Sequence, residues 1–278
     1  MSPLETVLVI ALLAILLREG FRSRKRRFSR RRSAEAEALI PMISVVDVDP
    51  AFHVGPLGPD RERSEVLFLG GGGVLILGST TDFEAWILAV LAKSAYRMFE
   101  FGTCTGRTTY LWARNSPPDA VVTTITLAPN QLEVYAGRQS DDEVDWKNAL
   151  DESRFEEFLY TGTPEATKIE QLFGDSKAFD ETAYHGSMDL VFVDGSHAYS
   201  YVISDTQKAL RMIKPGGLIL WHDYDGPEAG RGTDVALIEI ARELKLFRIE
   251  GTRTVGYRAP SGSDSPGLPR TSTKSSPN

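Results

Sequence analysis

The sequence of 278 residues has a single cysteine, Cys104. No disulfide can therefore form within the chain, and this cysteine usage is typical of reducing compartments. Two phosphate-binding signatures are also missing. The run Gly70–Gly73 is not followed by Gly-Lys-Ser/Thr, so it is no P-loop, and we interpret it as a turn. The dinucleotide signature G-x-G-x-x-G is absent after Phe101, because Cys104 and Arg107 stand where glycines are needed.

Positive charge is scarce outside the amino terminus. Residues 1–33 carry nine basic and two acidic side chains, a net charge of +7, which leaves −14 on the remainder of a chain with net charge −7. An acidic domain repels phosphate backbones, so the sequence argues against nucleic acid as a partner. The length and the 42% hydrophobic content suit one large domain with a full core.

Long apolar runs are limited to Val7–Leu17, which has eleven residues and precedes nine basic residues within 18–32. A helix needs about 20 apolar residues to span a bilayer, so this run is short unless its flanks contribute. Its positive charges follow the apolar stretch, unlike those of a secretory signal. We expect membrane association through residues 4–32, either spanning or lying in the interface, with the domain facing the cytoplasm. The alternatives are a buried helix or a basic tail.

The rest of the chain divides into an irregular lead-in (34–79), a domain with alternating elements (80–258) and a Ser/Pro/Gly-rich tail (259–278) that we expect to be disordered. Capping-box spacing at Thr81 and Glu84 predicts a helix over Thr81–Lys93, and helical periodicity predicts another over Tyr199–Met212. The predicted strands are Arg97–Phe101, Val121–Leu127, Thr167–Phe173, Asp189–Val193, Leu218–Trp221, Lys245–Glu250 and Thr254–Arg258. The predicted fold class is α/β, a Rossmann-like, mostly parallel, seven-stranded sheet with helices on both faces, preceded by the amino-terminal hydrophobic helix.

Two neighbouring strands end in polar residues. Asp194 follows one apolar run, with His197 three residues later, and His222 and Asp223 end the next. The carboxyl ends of parallel strands meet at one edge of a sheet, where ligands bind. The sequence therefore predicts an active site there. The alternative is that Asp194 and His197 only cap the following helix and that His222 is structural.

The loop Glu100-Phe101-Gly102-Thr103-Cys104-Thr105-Gly106 resembles motif I of class I S-adenosylmethionine (SAM)-dependent methyltransferases. The resemblance extends over about Thr80–Arg258, through Gly174-Asp175-Ser176, the D-G-S-H segment at Asp194 and the W-H-D-Y segment at Trp221. It implies that Gly102, Thr103 and Gly106 line the methionine part of SAM. It also implies that Asp175 and Ser176 lie by the adenine and Asp194 by the methyl donor.

One position departs from the family pattern. The second strand of these enzymes usually ends in an acid that binds both ribose hydroxyls, and this chain has Thr126 there. The resemblance implies that Glu100 holds the ribose instead or that Thr126 makes a single weaker bond. A bidentate carboxylate contact is stronger than a hydroxyl's. We therefore expect reduced affinity for SAM.

The resemblance is closest to small-molecule O-methyltransferases. A hydroxyl acceptor needs its proton removed, and His197, with a reference pKa of about 6.5, suits that task. Its position resembles the catalytic basic residue of catechol-type enzymes, in which Asp194 and Asp223 match two Mg²⁺ ligands; Tyr224 stands where those enzymes have an asparagine ligand.

Two alternatives remain at the level of the sequence. The D-G-S-H and W-H-D-Y segments also resemble cephalosporin hydroxylase-like proteins, which would imply oxidative chemistry on the same fold. The second alternative is a catalytically silent, membrane-tethered binding protein. It is suggested by Thr126, which replaces the usual acid.

Overall fold

The computed structural model describes residues 34–72, 78, 80–135, 141 and 143–262. The strands are β1 (Met42–Ile43), β2 (Val54–Gly55), β3 (Gly58–Pro59), β4 (Arg97–Phe101), β5 (Val121–Thr126), β6 (Ile169–Phe173), β7 (Met188–Val193), β8 (Ile213–Trp221), β9 (Phe247–Ile249) and β10 (Val255–Arg258). The helices are α1 (Arg61–Ser64), α2 (Asp82–Ala92), α3 (Arg107–Asn115), α4 (Glu143–Glu152), α5 (Tyr199–Met212) and α6 (Gly232–Ile240). Short 3₁₀ helices cover Val45–Asp47, Pro50–Phe52, Pro129–Val134, Pro164–Lys168 and Thr182–Tyr184.

The main sheet has eight strands in the order β1-β9-β10-β8-β7-β4-β5-β6. Only β10 runs antiparallel to its neighbours; the other pairings are parallel. The α/β class and the mostly parallel sheet are confirmed, but the strand number is corrected from seven to eight. The additional strand, Met42–Ile43, comes from the lead-in and has two residues, too few for any period-2 pattern to show in the sequence.

Helices cover both faces of the sheet, as predicted. One apolar cluster joins Phe99 and Val191 to Val202 of α5 and Leu237 of α6. The other joins strand residues such as Phe192 to α2 and α3 on the opposite face. Alternate strand residues therefore serve two cores, which explains why these strands are near-continuous apolar runs.

The order of the strands reverses beside β4. The chain moves from β4 outward to β5 and β6 on one side, and then returns to place β7 and β8 on the other. Such a switch point leaves a crevice outside the carboxyl ends of β4 and β7, since their following segments diverge to opposite faces. The fold thus puts the loop at Gly102 beside the loop at Asp194.

The helix start predicted at Thr81 is confirmed. The Thr81 Oγ1 accepts from the Glu84 backbone N–H at 3.3 Å and the Glu84 carboxylate accepts from the Thr81 N–H at 2.9 Å. Asp82, the other acid of this turn, accepts from the Gly71 N–H at 2.6 Å and pairs with Arg107 at 2.5 Å. These contacts fasten the glycine-rich turn to α2 and α3.

The prediction of a membrane-associated protein with a transmembrane helix is corrected. Within the described residues, no helix has both the length and the apolar character that crossing a bilayer requires. The longest, α5, has 14 residues and carries polar side chains, whereas a span takes about 20 apolar ones. The run Val7–Leu17, on which the prediction rested, lies outside the described residues.

Ala259, the first residue of the tail predicted to be disordered, packs against the domain. This residue is buried, and its backbone N–H donates to the Gly217 carbonyl at 2.9 Å while its carbonyl accepts from Gly216 N–H at 3.1 Å. These bonds extend the edge of the pairing between β8 and β10. Residues 263–278 lie outside the described part of the chain.

Candidate active site

The loops after β4 and β7 touch backbone to backbone. The Asp194 N–H donates to the Phe101 carbonyl at 2.9 Å. Gly102 has φ +96°, and a Cβ placed on it would lie 2.1 Å from the Asp194 carbonyl oxygen. Only glycine combines that left-handed backbone with such a close approach. The glycine predicted from motif I is thus required here by the backbone itself.

A pocket opens at this edge of the sheet. It is lined by Phe101, Gly102, Cys104, Ile125, Thr126, Leu127, Tyr135, Ala149, Glu152, Ser153, Gly174, Asp175, Ser176, Asp194, Gly195, Ser196, Tyr201 and Asp205. Five of the predicted cofactor-binding residues belong to this lining: Gly102, Thr126, Asp175, Ser176 and Asp194. They come from the ends of four parallel strands, which is why residues far apart in the chain share one cleft.

Glu100, which the sequence offers for ribose binding, lies outside this lining. Its side chain is buried, and its Oε2 accepts from Thr109 and, at 2.9 Å, from Thr124. Burial raises the pKa of Glu100 to about 8 against these hydrogen bonds. The residue therefore links β4, β5 and α3 inside the domain.

Thr103 and Gly106 also lie in the structure around the loop rather than in the pocket lining. Thr103 is buried, with its Oγ1 2.8 Å from that of Thr124. Gly106 has φ +80° and precedes α3, and a Cβ there would lie 2.7 Å from a ring carbon of Tyr160. Both residues shape the loop that carries Gly102.

The end of the pocket near β6 combines aromatic and acidic groups. Asp175 accepts from the Tyr201 hydroxyl at 3.0 Å and from the Lys177 N–H at 2.9 Å. Tyr201 stacks on Tyr135 at 4.7 Å between ring centroids. Asp205 is buried, its Oδ1 has no hydrogen-bond partner, and burial raises its pKa to about 7. This end can therefore accept hydrogen bonds from a ligand and contact its flat apolar surface.

Asp194 also belongs to a cluster of acids and imidazoles, whose other members lie outside the pocket lining: Glu84, His197, His222 and Asp223. His197 Nε2 lies 2.7 Å from Asp223 Oδ2. His222 Nδ1 lies 3.1 Å from Asp194 Oδ1 and 3.3 Å from Asp223 Oδ2. Its Nε2 is 3.3 Å from Glu84 Oε2, within ion-pair distance but outside hydrogen-bond geometry. His222 therefore bridges the ends of β7 and β8 and the first turn of α2.

The cluster keeps its histidines charged. Burial alone would lower the pKa of His197, but the hydrogen bond and charge of Asp223 raise it to about 9. Burial opposes the charge of His222 too, and Asp194 and its other acidic neighbours raise its pKa well above the usual value. The pKa of Asp223 is held below its ordinary range, against burial, chiefly by His197. Burial also raises the pKa of Asp194, but we assign the shared proton to His222 because its pKa lies well above the ordinary value.

Asp223 also takes an unusual backbone conformation, with φ +63°. Aspartate tolerates the left-handed region better than most residues, but the conformation still costs energy and is typical of functional sites. The Asp223 Oδ1 forms an ion pair with Arg253 Nη2 at 2.7 Å. The carboxylate is thus held from both sides, by His197 and by Arg253.

The cluster can be tested against a divalent cation. Asp194, His197 and Asp223 each offer a ligand atom, and these atoms lie within 4.8 Å of one another. Yet both carboxylates already contact a protonated imidazole, and Asp223 also contacts Arg253. A cation at this point would face three positive groups. The residues as they are placed do not suit a resident Mg²⁺, and we derive no step through one.

The capping alternative for Asp194 and His197 does not describe this loop. The residue before α5 is Ala198, and no side chain caps the helix there. Sequence reasoning missed two contributors to the site, Glu152 and Arg253. For Glu84 the sequence favours a capping role over a contact with substrate, and its contact with His222 joins residues with no local signal between them.

Comparisons with known proteins find a family match and similar solved structures. Residues 99–224 match a family described as a methyltransferase domain. No curated protein matches the chain. The structure is similar to an O-methyltransferase from Streptomyces achromogenes involved in tomaymycin synthesis, solved with SAM, with 20% identity, coverage of 65% of this chain and 82% of that one, and a TM-score of 0.44. A methyltransferase from Podospora anserina, bound to SAH, shows 14% identity, coverage of 66% and 81%, and a TM-score of 0.46.

Proposed function

We propose that this chain, in which residues 99–224 match a methyltransferase domain, transfers the methyl group of SAM to a hydroxyl oxygen of a small molecule. The observation that carries the proposal is the pocket at the switch point of the sheet, where Gly102 meets Asp194. Switch points are where open α/β sheets bind ligands. SAM, when bound, supplies a methyl group on a sulfonium, which is already a good leaving group.

The described residues of the pocket fit SAM on two counts. Gly102 lines the pocket without a side chain, so the methionine part of a ligand can approach the backbone of this loop. The orphan Oδ1 of Asp205 and the carboxylate of Asp175 offer acceptors beside the stacked Tyr135 and Tyr201. A flat nucleobase with amino and hydroxyl donors has the chemistry that such a surface recognises. We assign Ser176 to the same end and Thr126 to the ribose.

The cluster at the opposite end would act on the acceptor. Methyl transfer depends mainly on holding oxygen, methyl carbon and sulfur in line, an effect of proximity and orientation. Asp223 and Arg253 fix the position of His197, and His222 fixes that of Asp194. Both positioned side chains therefore face the acceptor with little freedom, which favours alignment of one hydroxyl.

His197 is the general base that the sequence suggests, and its environment limits that role. With a pKa of about 9, the imidazole is positively charged at neutral pH, with a proton on each ring nitrogen. We therefore assign His197 at neutral pH to donating a hydrogen bond to the acceptor oxygen, with Nδ1 as the donor because Nε2 is engaged by Asp223. Its action as a base is confined to pH values above about 9.

The proposal is tested by calorimetric titration of the full chain with SAM and with SAH, followed by transfer of tritiated methyl from SAM to a panel of phenols and catechols. Micromolar binding with label in an ether product supports it. Binding of SAM without transfer to any acceptor would contradict the proposal and favour a catalytically silent binding protein. If the folded chain does not bind SAM at all, SAM is not its cofactor.

A further inference from the structure

The carboxylates that line the pocket differ in what holds them. They are Glu152, Asp175, Asp194 and Asp205. Asp175 is engaged by Tyr201 and Lys177, and Asp194 by His222. Asp205 lies near Ser176, at the opposite end from the cluster. Within the described residues, Glu152 has no hydrogen-bond donor or ion-pair partner. At the end of the lining away from Asp205, Glu152 is the acid whose oxygens remain available to a ligand.

The position of Glu152 places it at the reacting end. Its Cγ lies 3.4 Å from where a Cβ would stand on Gly78, and the same point is 2.5 Å from Cys104 Sγ, so Glu152 packs beside the loop that carries Gly102. Its charge interacts with those of His197, Asp194 and Asp223. Glu152 therefore lies between the loop assigned to the methionine part of SAM and the cluster assigned to the acceptor.

On this geometry we propose that Glu152 accepts the proton of the acceptor hydroxyl during methyl transfer, an assignment that rests on the proposed function. The O–H bond breaks and its proton passes to a carboxylate oxygen of Glu152. The electron pair of the oxygen forms the bond to the methyl carbon, while the carbon–sulfur bond breaks and leaves its pair on sulfur. Glu152 afterwards releases the proton to solvent.

The surroundings suit this task near neutral pH. Burial raises the pKa of Glu152 to about 7, and Asp194 and Asp223 act in the same direction while His197 and His222 oppose them. Glu152 is also the last residue of α4, where the negative end of the helix dipole disfavours a carboxylate. A base works best when its pKa is near the operating pH. The groups that face it are Cys104, Asp194, His197, His222 and Asp223.

The test compares Glu152→Gln with Glu156→Gln. The second variant makes the same change at a nearby position in the chain that is exposed to solvent. The probes are catechol and 4-nitrocatechol, the second of which is largely ionised at neutral pH. With catechol we expect Glu152→Gln to lower kcat roughly 10²-fold or more, the usual contribution of a general base. With the nitro compound we expect little loss, since no proton needs removal.

The pH profile of kcat gives a readout that a structural role would not move. The wild type with catechol should show an inflection near pH 7, which Glu152→Gln should lose, whereas Glu156→Gln should retain it. SAM affinity should be unchanged in both variants. Equal losses with both probes, or weakened SAM binding, would overturn the assignment and leave the proposed function standing. No transfer by wild type that binds SAM would refute the proposed function, and this assignment with it.

Discussion

His197 Nε2 lies 2.7 Å from Asp223 Oδ2, and the side chains are 17% and 11% exposed. This pairing decides the protonation of the site, because the aspartate stabilises the imidazolium more than burial destabilises it. A histidine that looks from the sequence like a ready base at neutral pH is therefore an ion-pair partner in the fold. The consequence is measurable as a dependence of stability on pH.

We expect the stabilisation by His197 to disappear in alkali. Its pKa of about 9 in the folded protein exceeds the ordinary histidine value of 6.5. Its contribution to the free energy of unfolding is therefore fully present below pH 6.5 and is lost as the pH rises through 9. A shift of this size corresponds to at most about 3 kcal/mol. Urea unfolding of wild type and His197→Gln should show a large difference at pH 6 and a small one near pH 10. His53→Gln, at an exposed position, should show neither, and a difference independent of pH would contradict the pairing.

Gly102 should not tolerate any side chain. In Gly102→Ala, the new Cβ would lie 2.1 Å from the Asp194 carbonyl at a left-handed φ. We expect a loss of roughly 2–4 kcal/mol in unfolding free energy, from backbone strain and overpacking, together with loss of SAM binding. In the matched variant Gly195→Ala the nearest atom is 3.5 Å away, so its melting temperature should stay close to that of wild type. Similar melting temperatures for both variants would show that the two loops do not approach as described.

Glu100 should behave as a neutral buried group. Burial raises its pKa from 4.5 to about 8, so the folded state binds its proton more tightly and stability falls as the pH rises from 4.5 to 8. Glu100→Gln removes this dependence. The variant should equal wild type near pH 4.5 and exceed it by up to about 3 kcal/mol at pH 7, with SAM affinity unchanged. If Glu100→Gln folds but no longer binds SAM, the result would support a role for Glu100 in binding the ribose.

Magnesium should leave the protein unaffected. Asp194 and Asp223 are paired with His222, His197 and Arg253, so a divalent ion would have to displace positive partners. A ligand that binds only the folded state raises its melting temperature, and we expect no such rise with millimolar Mg²⁺. Methyl transfer should also be equal with Mg²⁺ and with EDTA. Stimulation by Mg²⁺ would establish the metal that the resemblance to catechol-type enzymes suggests.

The sequence predicted best what local periodicity controls. Apolar runs such as Leu190–Val193 form strands of the sheet. Asp194 and Asp223 follow β7 and β8 within two residues and both contact His222, because parallel strands end at the same edge of a sheet. Glu100 shows that a sequence motif alone does not predict the direction in which a side chain points. It stands one residue inside the end of β4, so strand alternation turns it toward Thr109 on α3 and away from the edge.

Contacts between distant segments could not be predicted in this way. Glu84 reaches His222 only because α2 packs at the end of β8, and its capping-box pattern says nothing about that second contact. Glu152 enters the pocket from a helix between β5 and β6, where no motif marks it. The protonation of His197 depends equally on Asp223, which is brought to it by sheet register rather than by sequence spacing.

Thr126 offers the most direct test of how the cofactor is held. It ends β5 and lines the pocket, at the position where the resemblance to methyltransferases places an acid. In Thr126→Asp a carboxylate could accept from two ribose hydroxyls, and charge-assisted bonds are stronger than neutral ones. We expect the Kd for SAM to fall roughly tenfold, equivalent to about 1.4 kcal/mol, with Thr126→Asn as the uncharged control. Asp175 and Asp205 line the same pocket, and their repulsion of the new carboxylate opposes this gain in SAM affinity. The repulsion should weaken below pH 7, where Asp205 becomes protonated. Calorimetry at pH 6 and pH 8 separates the two contributions. An aspartate that leaves SAM affinity unchanged at both values would mean that the ribose does not lie at the end of β5.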